Sequence, residues 1–230
     1  VALAAAGAEV VAVEVDGRLI GPLTEAVAGF KGVRVVRADA MTADWGAILG
    51  PTASWILVAN LPYNVAVPVV MGLLDTEPRV ERMLVMVQRE VGERLAAGPG
   101  DPQYGAVSVR VAYRAQARVV RRVPPTVFWP RPSVESVLIS MVRHAPTVEV
   151  SEPALWTVVR EAFGQRRKTL RGALVRLGMS NDQADLAMRE CGIELRVRPE
   201  EVGLDGFACL ARRCVDAGLL IRAGTAGFDA

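Results

Sequence analysis

The sequence predicts an α/β domain on a largely parallel sheet, followed by a small all-helical domain. Apolar runs of strand length alternate with helical stretches through the first two thirds of the 230 residues. Such alternation places helices on both faces of a mostly parallel sheet. After Ala145-Pro146 the strand-like runs stop and only helical periodicity remains.

Residues 9–15 read as a strand and 19–28 as a helix. Residues 33–37 and 55–59 are strands. Residues 67–74 suit a helix with Pro68 in its first turn, where a missing amide hydrogen is tolerated. Residues 82–87 form a strand, 92–97 continue as helix, and Gly98-Pro99-Gly100-Asp101-Pro102 makes a turn. Residues 106–114 fit helix or strand. Residues 117–123 and 137–142 are two late strands joined by a Pro-rich stretch. Without a helical crossover they are expected as an antiparallel pair at the sheet edge. In the helical part Leu155, Val159, Phe163, Leu170, Leu174 and Leu177 share one helical face. Ser180 and Gln183 make a capping box. Pro199 suits a first turn, Asp205 an N-cap and Gly218 a C-terminal cap. The boundary falls near residue 148, giving a domain over 1–147 and a second over 148–230. Residues 224–230 carry no readable signal.

Half of the residues are apolar (51%), enough for a packed core. No run approaches the roughly 18 apolar residues of a membrane span, and no secretory signal is visible. The chain opens at Val1 within an Ala/Val-rich pattern, which reads as a cut. Net charge is only +2, so the distribution of charge matters more than its sum. Arginine far outnumbers lysine, which occurs only at Lys31 and Lys168. Cys191, Cys209 and Cys214 lack C-x-x-C spacing and are expected as buried free thiols in a reducing cytosol. His144 is the only histidine, which argues against a Ser-His-Asp hydrolase and a His-rich metal site. No metal site is expected.

Glu14 closes the strand Val10-Val11-Ala12-Val13, where a carboxylate can accept from both ribose hydroxyls of a nucleoside cofactor. Asp16 is a weaker competitor for that role. Asp39 follows the next strand and can accept from an adenine amine, with Met41 against the ring. The most specific feature is Asn60-Leu61-Pro62-Tyr63, directly after a buried strand. An adenine amine is a poor nucleophile, because its lone pair is delocalised into the ring. The Asn60 side-chain oxygen can accept one amine hydrogen and the Leu61 carbonyl the other, which turns the lone pair outward. Pro62 biases Leu61 to extended geometry and brings no amide hydrogen of its own. Tyr63 can stack on the base. A Pro-stiffened loop at Phe128-Trp129-Pro130-Arg131-Pro132 can supply the second face of a base sandwich, through Phe128 or Trp129. Finally, Arg166-Arg167-Lys168-Thr169-Leu170-Arg171 puts four cations within six residues, a compact phosphate-binding patch that Arg160 can extend.

These motifs resemble the KsgA-type ribosomal RNA adenine dimethyltransferases. The matching segments run in order over nearly the whole chain. They are Val13-Glu14-Val15-Asp16, Asp39-Ala40-Met41, Asn60-Leu61-Pro62-Tyr63-Asn64, Gln88-Arg89-Glu90-Val91 with Arg94-Leu95, Tyr104-Gly105, Phe128 through Ser136, and Phe163 through Arg171. The resemblance implies a Rossmann-like class I methyltransferase domain with a small helical C-terminal domain that binds rRNA. It implies S-adenosylmethionine as methyl donor. It also implies two adjacent adenosines near the 3′ end of small-subunit rRNA as substrate, each dimethylated, with the immature small subunit as partner in the cytoplasm. A monomer is expected. By the same resemblance Glu14 holds the ribose, Asp39 and Ala40 the cofactor adenine, Asn60 and Leu61 the target amine, Tyr63 and Phe128 its two faces, and Arg166, Arg167, Lys168 and Arg171 the rRNA.

The family's Gly-rich first cofactor motif is absent from this sequence, and is expected just before Val1. Its strand is expected at the centre of the sheet, so the strands at Val10 and Trp55 should be left without a partner between them. The chain as given is expected to bind cofactor poorly and the full-length parent to be active. Two alternatives stay open: a related methyltransferase that modifies large-subunit rRNA, and a non-catalytic assembly factor that binds RNA through the basic segment.

Overall fold

The computed structural model describes residues 1–219 apart from Ala53, Tyr63, Arg166 and Arg167. It divides into two compact units, one of residues 1–55 and 64–80, the other of residues 56–63 and 81–230.

The first unit opens with a short helix α1 (Ala2–Ala5), followed by β1 (Val10–Glu14). Helix α2 (Gly17–Val27) leads into β2 (Val33–Arg37), which pairs in parallel with β1 in the register Val10↔Val33 to Glu14↔Arg37. Asp16 is the N-cap of α2: its carboxylate accepts from the Arg18 amide at 2.9 Å and pairs with the Arg18 guanidinium, which holds its pKa below the usual carboxylate range. A further short helix, α3 (Trp45–Leu49), is capped by Asp44 and has too few turns to show a periodic face in the sequence. Helix α4 (Ala66–Thr76) buries six apolar side chains, among them Val69, Leu73 and Leu74.

The second unit carries a four-stranded sheet in the order β3 (Trp55–Asn60), β4 (Val80–Gln88), β6 (Ser136–Arg143), β5 (Ala115–Val123). The Trp55 amide bonds to the Arg79 carbonyl and the Leu61 amide to the Met86 carbonyl, so β3 and β4 run parallel. β6 is antiparallel to both β4 and β5. The late strands are therefore antiparallel as expected, but only β5 is an edge; β6 lies inside the sheet. β1 is hydrogen-bonded only to β2 and β3 only to β4 among the described residues, so each has one open edge.

Two helices, α5 (Arg89–Ala96) and α6 (Ala106–Arg114), follow β4. Residues 106–114, open to either reading in sequence, are thus helical. α5 approaches β6 so closely that a Cβ on Gly92 would lie 2.2 Å from Val137 Cγ2. The turn at 98–102 forms as expected, with Gly98 donating to the Asp101 carboxylate at 2.7 Å.

The helical part comprises α7 (Glu152–Phe163), α8 (Leu170–Arg176), α9 (Asn181–Glu190) and α10 (Leu204–Asp216). The apolar face from Leu155 to Leu177 is split between α7 and α8, because the chain leaves the helix at Gly164 and restarts at the Thr169 cap. The Ser180–Gln183 capping box forms in both directions. The N-cap of α10 is Gly203, and Asp205 lies within the first turn; Gly218 follows the helix with φ +72°. These helices, Tyr104 and α6 share one core around Leu155, Leu174 and Phe207. Tyr104 donates its hydroxyl to the Val202 carbonyl at 2.9 Å and meets Phe163 edge-on at 5.9 Å. Burial pushes its pKa up to about 12.

The expectation of three free thiols is overturned in part. Cys191, at the end of α9, and Cys209, within α10, form a disulfide, and only Cys214 is free and buried. Eighteen residues separate the paired cysteines, and no spacing motif announces a pair held together by tertiary packing of two helices.

Candidate active site

In the first unit, two carboxylates stand at the carboxyl ends of neighbouring parallel strands, where ligands of open α/β sheets bind. Glu14 ends β1 and uses one oxygen to accept from the Asp16 amide at 2.8 Å. The Ala38 amide donates to the Glu14 carbonyl, which holds the loop after β2 beside that strand end. Asp39 in this loop is exposed and accepts from the Met41 amide at 2.9 Å. Ala40 is half-buried and Met41 half-exposed. Each carboxylate keeps an oxygen with no partner among the described residues. Asp16 is spent on the α2 cap and leaves Glu14 as the acceptor of the β1 end.

In the second unit, β3, β4 and β5 run in one direction, because β6 opposes both β4 and β5. Their carboxyl ends therefore share one end of the sheet. Asn60 is there, at the last position of β3 and exposed, with its side-chain amide unengaged among the described residues. Leu61 is 8% exposed and pinned by its own amide to Met86, and its carbonyl has no donor among the described residues; Pro62 is exposed. Tyr63 lies outside the described residues.

The loop carrying Phe128 leaves the same end of β5. Its start and finish are joined by the Val123↔Ser136 pairing, and Phe128 is half-buried just after a tight helical turn over Pro125–Val127. Glu135 ties the loop to Arg89, at the start of α5. The structure thus places Asn60, Leu61 and the Phe128 loop at the same end of the sheet, on its two outer strands.

Of the basic segment, Arg166 and Arg167 lie outside the described residues. Lys168 is exposed, just before the Thr169 cap of α8. Arg171 is paired with Asp185 of α9, which raises the arginine's pKa and lowers the aspartate's. Two motif residues have structural work that their spacing did not reveal. Tyr104 and Phe163 build the core between α6 and the helical part, and Phe163 also packs against Phe207 at 5.7 Å. No group of metal-ligating side chains occurs among the described residues.

Comparison with known proteins places this arrangement. A family model described as ribosomal RNA adenine dimethylase matches residues 1–206. A protein of Thermobifida fusca called ribosomal RNA small subunit methyltransferase A is 47% identical over 208 residues, covering 88% of this chain and 71% of the relative. Its namesake in Moorella thermoacetica is 40% identical over 220 residues, covering 91% and 76%. A dimethyladenosine transferase structure from Plasmodium falciparum shares the fold with TM-score 0.76 at 20% identity, covering 91% of this chain and 83% of that one. The structure of the 23S rRNA methyltransferase ErmE does so with TM-score 0.68 at 22%, covering 89% and 81%. The α/β fold is therefore that of Rossmann-like methyltransferases, and the chain belongs to the ribosomal RNA adenine dimethylase family.

Proposed function

We propose that the full-length protein uses S-adenosylmethionine to dimethylate the exocyclic amines of two adjacent adenosines near the 3′ end of small-subunit rRNA, in the cytoplasm, during small-subunit assembly. The observation that carries this reading is the Asn60 amide and the Leu61 carbonyl, both without partners among the described residues, at the sheet end that also holds the Phe128 loop. The names of the relatives favour the small subunit over the large.

The residues present suit the nucleoside part of the cofactor. Ribose hydroxyls and an adenine amine are donors, and Glu14 and Asp39 each offer a free acceptor oxygen at a parallel strand end. Glu14 takes the ribose; Asp39 and Ala40 take the adenine. When bound, S-adenosylmethionine supplies an electrophilic methyl group on a sulfonium.

The chain's own share of the reaction is positioning. Asn60 Oδ1 accepts one amine hydrogen of the target adenine and the Leu61 carbonyl accepts the other. This directs the nitrogen lone pair away from the ring plane and spreads the charge that develops on nitrogen over two fixed dipoles. Phe128 covers one face of the base and Tyr63 the other. Pro62 fixes the Leu61 carbonyl, because the residue before a proline is held extended. No side-chain base is required: a methylated ammonium is acidic enough to release its proton to water.

Residues 1–147 serve catalysis and 148–230 bind rRNA. Lys168, with Arg166 and Arg167, supplies phosphate contacts; Arg171 shares its charge with Asp185. The experiment is primer extension on rRNA from cells lacking the gene and from cells complemented with it. Two adjacent stops near the 3′ end of small-subunit rRNA are expected. Stops confined to large-subunit rRNA would overturn the assignment.

A further inference from the structure

The chain carries a net charge of only +2, yet residues 115–134 hold four arginines and no acid. This segment is the edge strand β5 and the loop that follows it. We propose that this strip is a track for a single strand of RNA, in which Arg118, Arg121 and Arg131 take phosphates and Trp129 stacks on a base. It deepens the RNA reading above by naming a surface apart from the basic segment before α8.

Register makes the first part of the case. Arg118 stands opposite Ser140 and Arg121 opposite Leu138, two positions apart on β6 and therefore on one sheet face. The arginines are three positions apart in sequence, so a regular strand would turn them to opposite faces. The irregularity between Val119 and Arg121 inserts one residue and returns Arg121 to the Arg118 face. Both side chains are exposed and neither has an acidic partner among the described residues. Arg122 faces the other side, where it approaches Glu93 of α5 at 3.9 Å, which Arg89 also approaches at 3.7 Å, and it lies off the track.

Trp129 makes the second part. Its residue is 97% exposed, a costly place for the largest apolar side chain unless a partner covers it. The loop that presents it is preorganised: prolines stand at 124, 125, 130 and 132, and its ends meet at Val123↔Ser136. Arg131 is exposed two residues on. Interleaved guanidinium groups and an aromatic face are the chemistry of sequence-tolerant single-strand binding, in which Arg forks take phosphate oxygens and the ring takes a base. A lone edge-strand charge serves to block strand pairing, but that role needs neither the indole nor Arg131. The loop leaves the sheet end that carries Asn60, so a strand held on this track leads to the reacting base.

The test uses the full-length protein and a fluorescein-labelled, unstructured oligoribonucleotide of twelve nucleotides, titrated from low to moderate salt. Replacing Arg118, Arg121 and Arg131 together by Gln should lower the slope of log affinity against log salt by about 2, since each phosphate neutralised on a single strand contributes roughly 0.7. Trp129→Ala should weaken binding by at least about fivefold, and Trp129→Phe by less. The triple Arg→Lys variant should keep the parent slope, and matching melting temperatures exclude misfolding. Gln and Ala variants that bind with parental slope and affinity would overturn the track. Asn60→Ala separates the two readings, because it should lower methyl transfer by about a hundredfold or more and leave the salt slope of oligonucleotide binding, set by phosphate contacts, at the parental value. Failure of methyl transfer by the parent with the salt-slope change preserved would sink the reaction and leave the track standing.

Discussion

Arg89 and Glu135 are joined twice: the Arg89 amide donates to the Glu135 carbonyl at 2.9 Å, and the Arg89 guanidinium donates to the Glu135 carboxylate at 2.8 Å. The double link fastens the end of the Phe128 loop to the start of α5. The side chains are 48% and 41% exposed, so the ion pair itself contributes at most about 1 kcal/mol to stability. Its larger effect is on position. Glu135→Ala should lower kcat/KM for methyl transfer by roughly tenfold through misplacement of Phe128, with a melting temperature close to the parent's. Steady-state kinetics beside thermal melts checks both halves.

Gly92 is required by close approach. A methyl group there would meet Val137 Cγ2 at 2.2 Å and Ile139 Cδ1 at 2.8 Å, both in β6. These partners are fully buried and cannot swing aside. Gly92→Ala should therefore destabilise by about 1–3 kcal/mol through overpacking, despite the better helix propensity of alanine. Urea denaturation measures it as a lower midpoint at constant slope.

The Tyr104 hydroxyl is buried and donates to the Val202 carbonyl, so Tyr104→Phe leaves that carbonyl unsatisfied and should cost about 1–2 kcal/mol. The native tyrosine also makes stability depend on pH. Its folded pKa, about 12, lies above the unfolded value near 10, because burial disfavours the phenolate. The folded state then holds a proton that the unfolded state has lost. The contribution is complete below pH 10 and falls as pH rises from about 10 to 12. Buried Cys214, with a pKa pushed up to about 11, adds a loss of the same sign. Following tyrosinate absorbance through a base titration should show a late ionisation step near pH 12, and Tyr104→Phe should remove that step.

The Cys191–Cys209 disulfide closes a loop of 18 residues between α9 and α10. A loop of this length corresponds to roughly 3 kcal/mol from restriction of the unfolded chain. Thiol alkylation of the denatured protein before and after reduction should label one cysteine and then three. Reduction should lower the melting temperature of the helical part, and Cys191→Ser should reproduce that shift without reductant.

The sequence showed most of the strands because each is a short apolar run between turn residues, and 33–37 was bounded at both ends. It did not show that β6 enters between β4 and β5. That placement depends on pairing with residues about fifty positions away, and no local pattern records it. The break between α7 and α8 was hidden because Leu170 and Leu174 continue the helical phase of Phe163, although one helix ends at Phe163 and the next starts at Leu170. The N-cap of α10 was misplaced from Asp205 to Gly203, because a glycine has no side chain to advertise a cap. At the site, the position of Asn60 and Leu61 at the end of a strand was readable from the buried run before them, and the Phe128 loop from its prolines; the roles proposed for these residues rest on residue type. The roles of Tyr104 and Phe163 were not readable: an aromatic in a motif looks alike whether it stacks on a base or on another core ring. Arg171 likewise looked like a free cation until Asp185 was placed beside it.

The most direct test of the account is transfer of tritiated methyl to unmodified small subunits by the full-length protein, comparing the parent with Asn60→Ala. The alanine removes one of two acceptors that orient the amine, so kcat should fall by about a hundredfold or more, while the salt slope of oligonucleotide binding stays at the parental value. An Asn60→Ala enzyme that transfers methyl within a few-fold of the parent rate would contradict the central claim that this amide aims the adenine nitrogen.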